Sequence, residues 1–310
     1  MTKVFIDGSA GTAGLRIRSR LEGRTDLDVK VLEGDARKDT EKRREMLNSC
    51  DLAVLCLPDA ASRESVSLIE NPDVRVVDTS TAHRVAPGWA YGFPELSKER
   101  REAIIHGKRV ASPGCHAGGF IVLAQPLVEA GIISKDTLLS CHSLTGYSGG
   151  GKGMIAEYEA AERKPELDSP REYGIAQAHK HLPEMAGISG LEHYPVFCPI
   201  VADFYSGMLV TVPLFKQQLN PGYTIADVRA CYAAKYNGPV VNYVEAMDEG
   251  GFIASNTLTG TDAMRVTVCG NEDRMILCSL FDNLGKGASG AAVQCINLML
   301  GVDETTGLVL

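Results

Sequence analysis

The chain has 310 residues, of which 45% are hydrophobic and 23% are charged, and its formal net charge is −8. This length and composition predict one large or two medium domains with substantial apolar cores. The acidic balance gives no electrostatic footprint for nucleic acid, and no apolar run is long enough to span a membrane, so we expect neither partner. Residues 1–8 have the pattern of a strand and a turn without the features of a signal peptide, and we expect a cytoplasmic location.

Short apolar runs alternate with amphipathic segments in the first third of the chain. Strands are predicted at residues 4–6, 29–32, 52–57, 74–77 and 109–111, and helices at 15–21, 40–47 and 60–69. This alternation is typical of an α/β fold with a Rossmann-type doubly wound parallel sheet.

Strand-like runs outnumber helices in the middle of the chain. Strands are predicted at residues 137–145, 196–202, 208–215, 265–268 and 274–280, and helices near 153–163 and 225–236. The pattern predicts a second α+β domain that carries a mixed, largely antiparallel sheet, and an apolar helix at about 288–300 that returns to the first domain. The predicted domains are residues 1–114 with 284–310 for dinucleotide binding, and residues 115–283 for catalysis, substrate binding and oligomerisation.

A glycine-rich turn with the spacing GxxGxxG joins the first predicted strand to the first predicted helix. Its three glycines permit a tight turn and the close approach of a pyrophosphate, which the helix N-terminus would bind. The candidate cofactor-binding residues in this turn are Gly8, Ser9, Ala10, Gly11, Thr12, Ala13 and Gly14. The alternative is an ordinary glycine-rich connection between a strand and a helix.

The end of the second predicted strand bears on the choice between NAD and NADP. Two acids, Glu33 and Asp35, would hold the ribose hydroxyls of NAD. Two basic residues, Arg37 and Lys38, would instead pair with the extra phosphate of NADP. The residues alone leave both cofactors open, and a solvated helix start accounts for the two basic residues equally well.

Cys115 directly follows Pro113 and Gly114 and precedes a strongly apolar helical run. The free N–H groups and the positive dipole end of a helix favour a thiolate there, which is the form that a cysteine nucleophile needs. The nine cysteines show no CxxC pair and no metal-ligand spacing, so we expect no metal. Seven cysteines lie in apolar segments and are interpreted as small buried hydrophobic residues: Cys50, Cys56, Cys198, Cys231, Cys269, Cys278 and Cys295.

With the glycine turn and the Pro-Gly-Cys segment in place, the chain resembles the shorter type of N-acetyl-γ-glutamyl-phosphate reductase, a family of the aspartate-semialdehyde dehydrogenase superfamily. The resemblance covers essentially the whole chain. Further matching segments are residues 56–59, 78–84, 91–96, 145–152, 179–184 and 282–292. Two residues depart from the family's usual pattern, because Ser112 stands where Asn is common and His116 where Tyr is common.

The resemblance implies the NADPH-dependent reduction of N-acetyl-L-glutamyl 5-phosphate to N-acetyl-L-glutamate 5-semialdehyde, with release of phosphate, in arginine biosynthesis. Cys115 would form a thioester that a hydride then reduces. The same chemistry on N-acetyl-aminoadipyl phosphate or aspartyl phosphate is an alternative. A nucleotide-binding redox sensor is an alternative from another class, because a Rossmann-type domain with a reactive cysteine would also suit it.

The acyl-transfer chemistry needs a proton partner with a near-neutral pKa, which favours histidine. His181 is the candidate general acid or base, and His179 is expected in the same site; the alternative for His181 is a structural histidine that caps the next turn. The resemblance implies substrate-binding candidates, of which the first is the candidate for the phosphate: Arg84, Ser148, Gly149, Glu184 and Lys152. Further cofactor-binding candidates are Pro58, Ser80, Asn283 and Gly287. The expected ligands are an acyl-phosphate substrate and NADP, and the expected assembly is a homo-oligomer, either a dimer or a tetramer.

Overall fold

The computed structural model describes all 310 residues, which form two compact units. The first unit comprises Met1–Pro113 and Ala288–Leu308, and the second comprises Gly114–Gly287 and Val309–Leu310. The strands are β1 (Thr2–Asp7), β2 (Leu27–Val31), β3 (Leu52–Leu55), β4 (Arg75–Asp78), β5 (Ala90–Tyr91), β6 (Arg109–Ala111), β7 (Ser140–Gly146), β8 (Arg171–Glu172), β9 (Val196–Ala202), β10 (Met208–Phe215), β11 (Val241–Tyr243), β12 (Met264–Gly270) and β13 (Arg274–Phe281). The helices are α1 (Thr12–Glu22), α2 (Thr40–Ser49), α3 (Asp59–Ser67), α4 (Lys98–His106), α5 (Cys115–Glu129), α6 (Gly151–Tyr158), α7 (Leu182–Ser189), α8 (Ile225–Lys235) and α9 (Gly290–Leu300).

The sheet of the first unit has six parallel strands in the order β2-β1-β3-β4-β6-β5. The chain leaves β1 toward β2 and then crosses to β3 on the other side, so the strand order reverses between β1 and β3. In open sheets of this kind, ligands bind outside the carboxyl ends of the strands at such a switch point. The predicted Rossmann-type fold is confirmed, and its switch point lies where the glycine-rich turn begins.

Both faces of this sheet are covered, as its continuous apolar strands require. Val4 and Ile6 pack on one face with residues of α1, α4 and α9, whereas Phe5 packs on the other face with residues of α2. The last helix, α9, buries most of its length in the first of these two cores.

The second unit contains a mixed sheet of seven strands in the order β11-β12-β13-β10-β7-β9-β8. The pairs β11-β12 and β7-β9 are parallel, and the other pairs are antiparallel, as the sequence pattern predicts. Helix α5 packs closely on one face, because a Cβ at Gly119 would lie 2.5 Å from Val210 Cγ2. Val196, Phe215 and Ile276 are large apolar side chains that the opposite face leaves exposed.

Helix α5 contains a proline that tertiary contacts accommodate. Pro126 has no N–H to donate to the Val122 carbonyl, which instead accepts a hydrogen bond of 2.8 Å from the Tyr236 hydroxyl. Tyr232 donates to the neighbouring Leu123 carbonyl at 2.5 Å. These bonds from α8 and from the residue that follows it hold the helix that begins with Cys115.

Some elements differ from the sequence predictions. Helix α6 ends at Tyr158, whereas the sequence predicts a helix to Arg163. The Arg163 guanidinium pairs with the carboxylates of Asp168 and Asp203. Residue 163 is also followed by a Lys-Pro pair, which disfavours the helical conformation. The sequence pattern also does not predict α4, α7, β5, β8 or β11, which are short. The interpretation of seven cysteines as buried is wrong for four half-exposed ones: Cys56, Cys198, Cys231 and Cys269.

No helix combines the length and the apolar character that crossing a membrane would require.

Candidate active site

The glycine-rich turn runs from the end of β1 into α1 in the first unit. Gly8 has φ +91°, and a Cβ there would lie 2.4 Å from the Cys56 carbonyl oxygen, so this position requires glycine. A Cβ at Gly14 would lie 2.5 Å from the Gly8 carbonyl oxygen. By contrast, a Cβ at Gly11 would meet nothing within 4 Å, and Gly11, which directly precedes α1, gives that helix no side-chain cap. The first N–H groups of α1 therefore face an open cradle that fits an anion such as a pyrophosphate.

A buried ion pair supports the turn, and sequence reasoning missed it. Asp7 is 4% exposed at the end of β1, and its Oδ2 accepts hydrogen bonds from Arg43 Nε at 3.2 Å and Ser65 Oγ at 2.8 Å. Arg43 also pairs with Glu64 at 2.9 Å. A buried carboxylate needs such partners, and here they tie β1 to α2 and α3 directly beneath the glycines.

The two basic cofactor candidates lie just after β2. Arg37 and Lys38 end a short 3-10 helix and are exposed, and Arg37 Nε donates to the Gly34 carbonyl at 3.1 Å. The Glu33 carboxylate lies 3.4 Å from the guanidinium of Arg18. Pro58 is exposed where β3 turns into α3. These side chains all follow the carboxyl ends of strands next to the switch point.

The segment after β4 forms a tightly bonded loop. Buried Asp78 accepts from Ser80 Oγ at 2.7 Å and lies 2.6 Å from His83 Nδ1, and the His83 ring stacks on Trp89. The Arg84 guanidinium donates to two backbone carbonyls, those of Ser112 at 2.9 Å and Thr79 at 3.0 Å. Ser80 and Arg84 are thus both buried, and each holds backbone or side chains of the loop in place.

Cys115 is the first residue of α5 in the second unit and is half-exposed. The N–H of Gly114, the residue that precedes the helix, donates to Glu184 Oε1 at 2.8 Å. A Cβ at Gly287 would lie 3.0 Å from the Cys115 Cβ, so the backbone at Gly287 approaches the cysteine closely. Two residues distant in sequence therefore fix the predicted nucleophile at a helix N-terminus.

Three imidazoles meet beside the first turn of α5, and we call the group of His116, Tyr173, His179, His181 and Phe197 the imidazole cluster. The rings of His179 and His181 are 4.7 Å apart, and the backbone N–H of His181 donates to His179 Nδ1 at 3.2 Å. The His116 ring lies 5.9 Å from the first and 5.7 Å from the second. The structure thus brings both predicted histidines to the segment that carries Cys115.

Burial sets the protonation of the imidazole cluster. Burial, aided by the neighbouring His179, lowers the pKa of His116 to about 3, and burial with the nearby Lys180 lowers the pKa of His179. Burial and the charge of Cys115 raise the pKa of Tyr173. His116 and Tyr173 are consequently neutral at physiological pH, and sequence reasoning gave no signal for the contact between them.

The remaining candidates of the second unit lie around β7 and β13. Asn283 connects two loops, because its Nδ2 donates to Ser148 Oγ at 3.1 Å and its Oδ1 accepts from the Gly207 N–H at 2.8 Å. A Cβ at Gly149 would lie 3.4 Å from the same Asn283 Nδ2. Lys152 is exposed in the first turn of α6. Ser148, Gly149 and Asn283 therefore form one group, whereas no contact here brings Lys152 into it.

Two family models match the chain and divide it in sequence. Residues 3–104 match the semialdehyde dehydrogenase NAD binding domain, and residues 115–283 match the semialdehyde dehydrogenase dimerisation domain.

Similar proteins extend over nearly the whole chain. An N-acetyl-gamma-glutamyl-phosphate reductase of Burkholderia cenocepacia is 44% identical over 306 residues, which are 97% of this chain and 98% of that protein. The enzyme of the same name from Rhizobium meliloti is 44% identical over 96% of this chain and 98% of its own length.

Among solved structures, aspartate semialdehyde dehydrogenase from Francisella tularensis superposes with a TM-score of 0.73 at 13% identity, over 97% of this chain and 100% of that one. The Candida albicans enzyme of that name, solved with NADP, gives a TM-score of 0.67 at 14% identity, over 97% and 99% of the two chains. At these identities the likeness establishes the fold.

Proposed function

Since this chain belongs to the N-acetyl-gamma-glutamyl-phosphate reductase family, we propose that it catalyses the NADPH-dependent reduction of N-acetyl-L-glutamyl 5-phosphate to N-acetyl-L-glutamate 5-semialdehyde with release of phosphate, a step of arginine biosynthesis. The observation that carries the proposal is Cys115 at the start of α5, held by Glu184 and Gly287 beside the imidazole cluster. A half-exposed cysteine at a helix N-terminus suits attack on an acyl carbon.

The residues of the second unit suit a reaction in two stages. The Cys115 thiolate attacks the acyl carbon, and the bond to phosphate breaks, which leaves a thioester on the cysteine. Bound NADPH supplies the hydride that reduces this thioester. The resulting thiohemiacetal collapses when its hydroxyl proton is removed, and the semialdehyde leaves as the thiolate re-forms.

The two predicted histidines take different roles in this proposal. His179 Nδ1 accepts a hydrogen bond from the backbone N–H of His181, so neutral His179 carries its proton on Nε2 and acts as a hydrogen-bond donor. His181 is then the group that moves protons to and from the substrate oxygen. The lowered pKa of His179, which burial and the neighbouring Lys180 cause, supports its part of this division, because a neutral His179 can serve as the hydrogen-bond donor.

The cofactor is assigned to the first unit, whose residues fit a dinucleotide. The open cradle at Gly11 would hold the pyrophosphate against the N-terminus of α1, and Arg37 and Lys38 would pair with the 2′-phosphate of NADP. The Glu33 carboxylate lies 3.4 Å from the Arg18 guanidinium. This pairing supports NADP over NAD, because it competes with a hydrogen bond from Glu33 to the ribose hydroxyls of NAD.

Substrate binding is assigned to five residues, which contribute in different ways. Ser148 and Gly149 belong to the loop that Asn283 holds, and exposed Lys152 would supply positive charge to a phosphate or a carboxylate. Arg84 is the proposed phosphate ligand of the first unit, where its buried guanidinium also donates to the Ser112 and Thr79 carbonyls. Glu184 contributes by holding the Pro-Gly-Cys turn, since its carboxylate accepts the Gly114 N–H. Catalysis and oligomerisation are assigned to the second unit, to which four of these five residues also belong.

We also propose a homo-oligomer in the cytoplasm. The exposed apolar face of the seven-stranded sheet supports self-association, as does the match of residues 115–283 to a dimerisation domain. All nine cysteines are free thiols, which suits a reducing compartment.

The reaction run in reverse tests the proposal. Purified protein is mixed with phosphate, either NADP⁺ or NAD⁺, and the semialdehyde of N-acetylglutamate, N-acetyl-aminoadipate or aspartate, while formation of reduced nicotinamide is followed. We expect the highest kcat/KM with N-acetylglutamate semialdehyde and NADP⁺, and no turnover without phosphate. A preference for another semialdehyde would reassign the substrate, and absence of turnover with all three would overturn the proposal.

A further inference from the structure

The imidazole cluster contains one histidine that the proposed reaction does not use. His116 follows Cys115 in the first turn of α5 and is 4% exposed. Both its ring nitrogens are engaged: Nδ1 lies 2.6 Å from Ser143 Oγ, and Nε2 lies 2.6 Å from the Tyr173 hydroxyl. Two short hydrogen bonds on one buried ring leave it no rotational freedom.

The far end of this chain of hydrogen bonds is rigid. Ser143 is fully buried in β7, which pairs with both β9 and β10. The near end is Tyr173, which is half-buried in an irregular segment just after the two-residue strand β8. The backbone of this segment is tied to β9, because the Tyr173 N–H donates to the Pro199 carbonyl at 2.9 Å. The bond to His116 engages the Tyr173 hydroxyl, and it fixes where that side chain points.

His116 also lies against every other ring of the imidazole cluster. Its ring centroid is 5.7 Å from that of His181, 5.9 Å from His179 and 5.4 Å from Phe197. Tyr173 closes the group from the side, with its ring 6.2 Å from that of His179. The neutral state of His116 keeps a second positive charge away from the histidine that moves protons.

We propose that His116 is a positioning residue that fixes Tyr173 through its Nε2 and thereby holds His179 and His181 in one arrangement beside Cys115. This inference rests on the proposed reductase activity, in which His181 transfers the proton. It adds two residues to that activity, His116 and Tyr173, neither of which contacts the reacting atoms in the proposed reaction.

The two hydrogen bonds of His116 can be removed separately. In H116Q the side-chain amide reaches the place of Nε2 and keeps the bond to Tyr173, whereas in H116N it reaches the place of Nδ1 and keeps the bond to Ser143. H116F retains an aromatic ring and loses both bonds. Y173F breaks only the bond to Nε2 and leaves the buried core as it is.

We expect kcat of the reverse reaction to fall by roughly 10- to 100-fold in H116F, H116N and Y173F, because small displacements of a proton-transfer group are costly. KM should stay within about threefold, and H116Q should recover most of kcat. The solvent deuterium isotope effect on kcat should rise in the impaired variants, since proton transfer becomes slower relative to the other steps. A residue that only stabilises the fold would not move this isotope effect.

The controls separate this inference from the proposed function. Y194F makes the same chemical change at an exposed tyrosine and should leave kcat unaltered. If the natural chain is active but Y173F keeps its kcat, or if H116Q is as impaired as H116N, His116 is not a positioning residue. An inactive natural chain would overturn the reductase proposal and this inference together. Should H116F fail to fold, Y173F against H116Q still decides the question.

Discussion

Glu184 shows how one buried side chain sets the position of the proposed nucleophile. It is 2% exposed, lies in the first turn of α7, and accepts the N–H of Gly114 immediately before Cys115. A buried carboxylate that accepts a backbone N–H exerts its effect through geometry, since a carboxylate is unsuited to stabilise a thiolate nearby. The role that follows is positioning of the Pro-Gly-Cys turn.

Exchange of Glu184 distinguishes positioning from direct substrate binding. E184Q keeps an oxygen that accepts the Gly114 N–H, and we expect its kcat and KM to stay within about threefold of the natural chain. E184A loses the acceptor, and its kcat should fall roughly tenfold or more because Cys115 is less well placed. Steady-state kinetics of the reverse reaction provide the measurement. A large rise in KM for the semialdehyde in E184Q would instead indicate that the carboxylate binds substrate.

The turn between β1 and α1 is an element in which each glycine has its own reason. Gly8 is required by its positive φ and by the adjacent Cys56 carbonyl, whereas Gly11 faces open space at the start of α1. The backbone conformation requires glycine at Gly8, whereas the open space at Gly11 leaves room for a ligand.

Alanine substitutions in this turn should separate stability from cofactor binding. We expect G8A to lower the free energy of unfolding by about 2 kcal/mol or more, because its backbone is strained and its Cβ meets backbone atoms. G11A should change that free energy by less than about 0.5 kcal/mol yet raise the Kd of NADPH roughly tenfold or more, because its methyl group occupies the cradle. Urea denaturation and NADPH titration measure the two quantities.

G23A is the matched control for the turn, since a Cβ at Gly23 meets nothing within 4 Å and lies at the other end of α1. It should leave both the stability and the Kd unaltered. Unchanged NADPH affinity in G11A would contradict the assignment of the cradle to the pyrophosphate.

The sequence predicts the elements better than it predicts the contacts between them. Short continuous apolar runs are sufficient to predict β1, β3 and β4, because strands of a parallel sheet are buried on both faces and so are hydrophobic at successive residues. The helix start at Cys115 follows from the Pro-Gly pair before it and the apolar run after it. Charged α4 escapes prediction because it buries only Ile104 fully, so its periodic signal is weak.

The candidate site is predictable only where residues are close in sequence. The pair His179 and His181 and the glycine turn are local motifs, and the structure places the members of each motif together. His116 and Tyr173 are joined across 57 residues through an irregular segment, and no pattern encodes such a contact. Asp7 and Arg43 are likewise brought together only by the packing of α2 on the sheet.

The seven-stranded sheet of the second unit leaves one face exposed. Val196, Phe215 and Ile276 are 57%, 59% and 45% exposed on that face, at the outward positions of β9, β10 and β13. Burial of such a surface against a second copy would remove its apolar area from water, and this favours a homo-oligomer through the sheet.

A charge placed on this face should disrupt the assembly. We expect I276R to convert the proposed homo-oligomer to a smaller species, because an arginine buried in an apolar interface loses its hydration without gaining a partner. V85R, at a residue 53% exposed in the first unit, is the control and should retain the natural mass. Sedimentation velocity gives the masses, and identical masses for I276R and the natural chain would contradict an interface at this face.

In the proposed mechanism Cys115 carries the acyl group as a thioester, and a pre-steady-state experiment can detect this intermediate. The protein is mixed rapidly with N-acetylglutamate semialdehyde and NADP⁺ in the absence of phosphate. We predict a burst of about one NADPH per subunit that then stops, because the thioester on Cys115 has no phosphate to accept the acyl group. Addition of phosphate should restart turnover, and C115A should give no burst. A full burst in C115A, or steady turnover of the natural chain without phosphate, would contradict the covalent mechanism.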